Sequence, residues 1–182
     1  HLAHVEAQLG NRPGAQVIVE PSARNTAAAI ALAALRLPVD AVMLVCPSDH
    51  HIGDAAAFAK AAQAAAELAQ QGWLVSFGIE AKAPETGFGY LKRGEAIAPL
   101  AYRTAEFVEK PELERAKQFL ADGSYAWNGG IFAFRVGDFL RELALHYPDV
   151  ASGVREAVAL GQADGRRFHP DASAFSGVES IS

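Results

Sequence analysis

A cluster of side chains that can bind metal ions follows one of the most apolar runs of the sequence. The run "MLVC" (43–46) ends in the thiol of Cys46 and is followed closely by Asp49, His50 and His51. Structural zinc sites use Cys or His pairs two to four residues apart, with a second pair elsewhere, and no such arrangement occurs here. Adjacent histidines also point in different directions on a regular backbone, so zinc is disfavoured. Mg²⁺ prefers oxygen ligands, which makes Asp49 the candidate metal ligand.

The same residues also have structural interpretations, which the sequence leaves open. Asp49 could instead cap a turn or accept a hydrogen bond from a nearby amide. We expect Cys46 to be a buried strand residue and one of the two imidazoles to support the loop.

Polar residues recur beside later strands. "FVEKP" (107–111) delivers Glu109 and Lys110, which could bind the hydroxyls and the phosphate of a sugar phosphate, or form a solvated ion pair. "ETGFGY" (85–90) has two glycines around an aromatic residue, which lets the backbone approach a ligand closely, although a plain turn has the same pattern. Asn128 offers a donor and an acceptor to a polyol, and an Asn-Gly turn is the alternative.

A further polar group precedes an alanine-rich helix. Arg24, Asn25 and Thr26 lie near the start of that helix, where free N–H groups favour phosphate, while Ser22 or Thr26 could merely cap it. The carboxylate of Glu20 could accept paired hydrogen bonds from the N1–H and the exocyclic amine of guanine.

Composition excludes several classes of function. The 182 residues carry a net charge of −5, which argues against nucleic-acid binding, since phosphate backbones are bound by concentrated Lys and Arg. The single cysteine excludes a disulfide framework within the chain and suits a reducing cytoplasm. No apolar run approaches the roughly 20 residues that span a bilayer, so we expect no membrane partner.

Periodicity predicts a mixed α/β domain over residues 1–182. A helix tail ending at Gly10 is followed by a β-α-β-α-β order over 15–20, 21–37, 40–46, 54–72 and 73–79. That order predicts a doubly wound, mostly parallel sheet. Shorter strands of mixed orientation are expected at 88–94, 102–111 and 129–135, with helices at 112–123, 136–147 and 152–160, and loop thereafter.

Five motifs occur in an order that resembles the bacterial mannose-1-phosphate guanylyltransferases, some of which are fused to a phosphomannose isomerase. The motifs are "EPSARNTAAAIALAA", "LVCPSDHHI", "FGIEAKAPETGFGYL", "FVEKPELERAKQFL" and "YAWNGGIFAFR", and the likeness is strongest from Glu20 to Arg135. The resemblance implies a nucleotide-diphosphosugar transferase (Rossmann-like) fold. It also implies Mg²⁺-assisted transfer of GMP from GTP to mannose 1-phosphate, giving GDP-mannose and pyrophosphate for polysaccharide biosynthesis.

By motif, the resemblance assigns three groups of site residues. The catalytic residues would be Asp49, as the Mg²⁺ ligand, and Lys110, on the sugar phosphate. The nucleotide would contact Glu20, Pro21, Arg24, Asn25 and Thr26. The sugar side would be formed by Glu85, Thr86, Gly89, Tyr90, Glu109, Asn128 and Gly129.

The chain also departs from the family pattern. Nothing matches the glycine-rich loop that wraps the triphosphate, and "SIS" stands at 180–182 where a second metal-binding Asp would follow. We therefore expect negligible GDP-mannose synthesis by these 182 residues alone. Two alternatives stay open: a transferase of another base or sugar 1-phosphate, and a non-catalytic sugar-nucleotide-binding module. A homo-oligomer is allowed by the sequence.

Overall fold

The computed structural model describes residues 2–181. The helices are α1 Leu2–Leu9, α2 Asn25–Ala34, α3 Ala55–Gln70, α4 Leu113–Asp122, α5 Val136–His146, α6 Pro148–Ala159 and α7 Ala172–Ser176. The strands are β1 Val17–Ile18, β2 Val42–Val45, β3 Val75–Glu80, β4 Tyr90–Ala98, β5 Ala101–Val108, β6 Tyr125–Arg135, β7 Gln162–Asp164 and β8 Arg167–His169. No helix in this range is long and apolar enough to cross a membrane.

The residues that the sequence indicated as helix ends are confirmed. Gly10, directly after α1, has φ +53°, and Gly72, shortly after α3, has φ +91°, a conformation that glycine adopts without steric cost. Asp54 caps α3, because its Oδ1 accepts a hydrogen bond of 2.9 Å from the Ala57 N–H. Pro148 does more than end α5, since it is the first residue of α6.

Strand pairing differs from the mostly parallel sheet that we expected. The larger sheet has the order β2-β6-β4-β5, with β3 also paired to β6. The β3–β6, β4–β6 and β4–β5 pairs are antiparallel. An apolar run without alternation indicates a strand covered on both faces, but it carries no information about the direction of the neighbouring strands.

The first and last strands form a separate sheet of three strands in the order β1-β8-β7. The expected loop after residue 160 was therefore wrong, since β7, β8 and α7 lie there. The strands β7 and β8 are three residues each, and β1, which pairs with β8 in parallel, has two. Elements this short leave almost no periodic pattern, and they depend on a partner far away in the sequence.

Two expectations for the second strand were also wrong. Leu44 within β2 is 42% exposed, so this strand is not covered on both faces. Cys46 lies just beyond the strand and is exposed. Partial desolvation nevertheless raises the pKa of its thiol above the ordinary value.

The chain divides into two compact units, each with its own core. Unit 1 comprises the described residues up to Met43, Ala69–Trp73 and those from Phe134 onward, and unit 2 comprises Leu44–Leu68 and Leu74–Ala133. In unit 1, buried apolar side chains from α2, α5, α6 and α7 form one cluster. In unit 2, Phe119 of α4 stacks on Tyr125 with ring centroids 4.0 Å apart.

A buried carboxylate ties the start of α5 to two arginines within unit 1. Asp138 is only 2% exposed. Its oxygens accept two hydrogen bonds from Arg135, of 2.8 and 3.1 Å, and one of 2.7 Å from Arg141. These hydrogen bonds lower the pKa of Asp138 below its ordinary range. The ion pairs thus compensate the cost of burying the carboxylate.

We expect Asp138→Asn to lower the free energy of unfolding by roughly 2 kcal/mol at pH 7, because charge-assisted hydrogen bonds are lost in a buried place. The lowered pKa means that the carboxylate stabilises the fold above its unfolded pKa of about 3.9 and loses that effect as the pH falls through the lowered value. The difference between the two proteins should therefore shrink below about pH 4, as measured by urea unfolding at several pH values.

Glu156→Gln, at an exposed position of α6, is the matched control and should change stability by less than about 0.5 kcal/mol. Equal midpoints for Asp138→Asn and the unaltered chain at pH 7 would contradict the assigned role of the ion pairs.

Candidate functional site

Four strands of unit 2 bring part of the predicted sugar group together. Asn128 of β6 pairs with Gly78 of β3, and the Asn128 N–H donates a hydrogen bond of 2.7 Å to the Gly89 carbonyl. Next along the chain, Tyr90 pairs with β6 on one side and with Val108 of β5 on the other. Gly89, Asn128 and the residues after β5 therefore lie in one row across the sheet.

Gly89 has no space for a side chain. A Cβ built there would stand 2.9 Å from the Glu109 Oε2 and 2.9 Å from the Phe107 ring. The backbone of Gly89 thus lies directly against Glu109. This contact joins two residues that the sequence assigned to the sugar.

Glu109 and Lys110 lie just past the end of β5, not on the strand. Lys110 has φ +42°, and its Nζ lies 3.6 Å from the Glu109 Oε1. Both side chains are about half exposed, at 48% for Glu109 and 64% for Lys110, so the pair is of the solvated kind that contributes little stability. Lys110 can therefore exchange this partner for another anion at small cost.

Tyr90 is fully buried and holds the loop before β4. Its hydroxyl donates a hydrogen bond of 2.9 Å to the Glu85 carbonyl, while Glu85 and Thr86 are exposed. A side chain with no exposed surface cannot face a sugar in this structure. Its contribution is to position the loop that carries Glu85 and Thr86.

The structure does not have the Asn-Gly turn that was the alternative interpretation of Asn128, because Asn128 lies inside β6. The pairing of β3 with β6 is irregular at this point: Ser76 pairs with Phe132, whereas Gly78 pairs with Asn128. The extra residues of β6 form a bulge in which Gly130 has φ +63°. A Cβ on Gly129 would stand 3.1 Å from the Phe77 carbonyl oxygen, so this residue also requires close backbone approach. Bulges of this kind re-aim side chains beside functional sites.

Asp49 is exposed in the loop after β2, within unit 2. The loop lies against the bulge, since a Cβ on Gly130 would be 3.5 Å from Pro47 Cγ. His50 and His51 are exposed as well. Within residues 2–181, no group of three or more His, Cys, Asp or Glu side chains could hold a metal ion. Asp49 stands in this loop as an exposed carboxylate, and its assignment as a metal ligand stays a prediction.

The residues predicted to bind the nucleotide lie in unit 1. Glu20 and Pro21 are exposed after β1, and partial burial raises the pKa of the Glu20 carboxyl. Arg24 is half-buried, and its guanidinium donates to the Ser176 carbonyl. Its Nε is buried and has no hydrogen-bond partner among the described residues.

The start of α2 is not capped by either of the residues that the sequence offered as a cap. Neither Ser22 nor Thr26 is the N-cap, because that position belongs to Arg24, whose side chain makes no capping hydrogen bond. Asn25 has φ +65°, and its Oδ1 accepts from the Thr26 N–H at 3.2 Å. The next N–H, that of Ala27, donates to the Ile181 carbonyl at 3.1 Å. Two of the N–H groups that could have bound phosphate thus already donate hydrogen bonds within the chain.

Two residues of the candidate site were missed from the sequence. Ser76 of β3 donates a hydrogen bond of 2.9 Å from its hydroxyl to the Asn128 Oδ1. The indole Nε1 of Trp127 is buried and has no hydrogen-bond partner in the described part of the chain. The only sequence signal for Ser76 was a single hydroxyl in the apolar strand "WLVSFGI".

A small cavity of about 140 Å³ also lies in unit 2. It is lined by Glu80, Ala81, Arg93, Phe119, Leu120, Gly123 and Tyr125. None of these residues belongs to the sequence-predicted site.

Comparison with known proteins identifies the family. The pattern described as "Nucleotidyl transferase" matches residues 2–172. The chain belongs to the nucleotidyl transferase family. The predicted family and its mixed α/β fold are thereby confirmed.

Two curated relatives show which members of the family this chain is similar to. The chain is 47% identical over 179 residues to the xanthan biosynthesis protein XanB of Xanthomonas campestris pv. campestris (strain B100), covering 96% of this chain and 38% of the relative. It is 42% identical over 174 residues to the mannose-1-phosphate guanylyltransferase of Escherichia coli K12, covering 91% of this chain and 36% of the relative. The chain thus spans less than two fifths of the length of these relatives.

Two solved structures share the fold. A mannose-6-phosphate isomerase from Helicobacter pylori superposes with a TM-score of 0.85 at 31% identity, covering 99% of this chain and 70% of that one. A mannose-1-phosphate geranyltransferase from Thermus thermophilus superposes with a TM-score of 0.76 at 31% identity, covering 90% of this chain and 46% of that one.

We expect Gly89→Ala to displace Glu109 and the Phe107 ring and to lower the free energy of unfolding by about 1 kcal/mol, because the new methyl group overpacks this contact. Gly87→Ala is the matched control, since a Cβ there meets no described atom within 4 Å. Urea unfolding of both variants measures the difference. If Gly87→Ala destabilises the chain as much as Gly89→Ala, the close contact is not what requires glycine at residue 89.

Proposed function

We propose that this chain is part of a mannose-1-phosphate guanylyltransferase, an enzyme that forms GDP-mannose and pyrophosphate from GTP and mannose 1-phosphate. The observation that carries the proposal is the row of Asn128, Gly89 and Glu109 across the sheet of unit 2. It occurs in a chain 42% identical to a relative with that name. Residues 1–182 would be one nucleotidyltransferase core, to which both units belong.

On the sugar side, the row supplies complementary groups. The Glu109 carboxylate can accept hydrogen bonds from sugar hydroxyls, and Asn128 can add an amide. Gly89 and Gly129 allow the backbone to approach the ring, while Glu85 and Thr86 stand on the loop that Tyr90 holds. Lys110 would bind the sugar phosphate, since its pairing with Glu109 is weak.

The transfer requires two anions to approach one another. A phosphate oxygen of mannose 1-phosphate attacks the α-phosphorus of GTP in line, and pyrophosphate leaves without a covalent enzyme intermediate. Lys110 offsets the repulsion between the two anions and orients the attacking phosphate. Asp49 would hold Mg²⁺, which when bound neutralises charge on the phosphate oxygens.

On the nucleotide side, the oxygens of the Glu20 carboxylate would accept the paired hydrogen-bond donors of guanine. The buried Arg24 Nε lacks an acceptor among the described residues, which a phosphate or ribose oxygen would supply. Pro21, Asn25 and Thr26 would complete this pocket. The cytoplasmic location expected from the single cysteine stays a prediction.

In the full-length natural protein, we expect GTP with mannose 1-phosphate to give the fastest pyrophosphate release. The comparison uses GTP, ATP, UTP and dTTP, each with mannose 1-phosphate and with glucose 1-phosphate. Glu20→Gln should reduce the preference for GTP, because an amide cannot accept both guanine donors. Another preferred pair would indicate a transferase of different specificity. No release with any pair would favour a non-catalytic binding module, and an isomerase assay on mannose 6-phosphate would then follow.

We expect Asp49→Asn in the full-length protein to lower kcat by about 100-fold, because a neutral amide holds Mg²⁺ poorly where one carboxylate is the protein ligand. The Mg²⁺ concentration for half-maximal activity should rise as well. Asp40→Asn, at an exposed position before β2, is the matched control and should leave both values unchanged. An unchanged Mg²⁺ dependence in Asp49→Asn would remove Asp49 from the metal site.

A further inference from the structure

We propose that Ser76 is a positioning residue that fixes the Asn128 amide with its nitrogen toward the sugar, so that Asn128 acts there as a hydrogen-bond donor. The inference rests on the proposed function, and it assigns a role to a strand residue outside all of the predicted site residues.

Two neighbours determine the orientation of the amide. The Gly130 N–H lies 3.3 Å from the Asn128 Oδ1, and a backbone N–H can only donate, so the atom facing it must be the oxygen. The Ser76 hydroxyl, at 2.9 Å, donates to the same oxygen. The oxygen is thus occupied twice within the protein, and the Asn128 Nδ2 is directed away from Ser76 and Gly130.

The bulge in β6 is what brings Ser76 to Asn128. In the ladder Ser76 pairs with Phe132, and a regular register would keep it away from Asn128. The additional residues of β6 form the bulge, in which Gly130 has φ +63°. The Gly130 N–H donates a hydrogen bond to the Asn128 side chain across this bulge. From the neighbouring strand β3, the Ser76 hydroxyl donates a second hydrogen bond to the same side chain and so stabilises the bulge.

The backbone of Asn128 is fixed at the same time by its 2.7 Å hydrogen bond to the Gly89 carbonyl. Gly89 in turn lies against Glu109, whose carboxylate oxygens can accept hydrogen bonds. A sugar hydroxyl can donate to Glu109 and accept from the Asn128 Nδ2. Glu109 and Asn128 together therefore offer one acceptor and one donor, a combination that selects hydroxyl groups. This holds only while the Asn128 amide keeps its nitrogen on the side of the sugar.

The test is steady-state kinetics of the full-length protein carrying Ser76→Ala, Ser76→Thr, Asn128→Ala or the Ser76→Ala/Asn128→Ala pair. Loss of one hydrogen bond predicts a rise of about 10-fold in KM for mannose 1-phosphate in Ser76→Ala, with KM for GTP changed less than about twofold. Ser76→Thr keeps the hydroxyl and should restore the KM. Because Ser76 acts through Asn128, the double variant should be no worse than Asn128→Ala alone.

Ser152→Ala, on the exposed surface of α6, is the matched control and should not alter either KM. Equal KM values for mannose 1-phosphate in Ser76→Ala and the unaltered protein overturn the inference while leaving the proposed function intact. Additive losses in the double variant overturn it too, since Ser76 would then act independently of Asn128. No turnover by the unaltered protein overturns the proposed function, and this inference with it.

Discussion

The hydrogen bond from the Asn128 N–H to the Gly89 carbonyl is the constraint on which the site in unit 2 depends. It joins β6 to the residue just before β4 at a length of 2.7 Å. Once these two backbones are joined, Gly89 lies against Glu109, and the bulge of β6 turns the Asn128 side chain toward Ser76. One ladder contact thereby sets the positions of an amide and a carboxylate that come from different strands.

Glycine is required in this row for a steric reason. Residues 89 and 129 both stand where a Cβ would come within about 3 Å of a neighbouring strand or its following loop, as the contacts of 2.9 and 3.1 Å show. The row therefore combines backbone close approach with a few polar side chains. Such a surface suits a ligand that presents hydroxyl groups at short distance.

The residues of unit 1 that were predicted to bind the nucleotide differ from this row, because contacts within the chain already occupy some of their hydrogen-bond donors. Arg24 donates to the Ser176 carbonyl, and the Ala27 N–H donates to the Ile181 carbonyl. Residues near the end of the described chain are thus held at the start of α2. Among the described residues, the buried Arg24 Nε still lacks a hydrogen-bond partner.

The sequence by itself determined the helices α1 to α6, the cap at Asp54 and the family, because these follow from local periodicity, capping chemistry and ordered motifs. It did not determine that β3 runs antiparallel to β6, that β1 pairs with β8, or that Asn128 lies in a bulge and not in a turn. Those features depend on hydrogen bonds between residues far apart along the chain, which leave no local pattern. Only the tertiary structure could therefore decide that Ser76, a single hydroxyl in an apolar strand, holds the Asn128 amide.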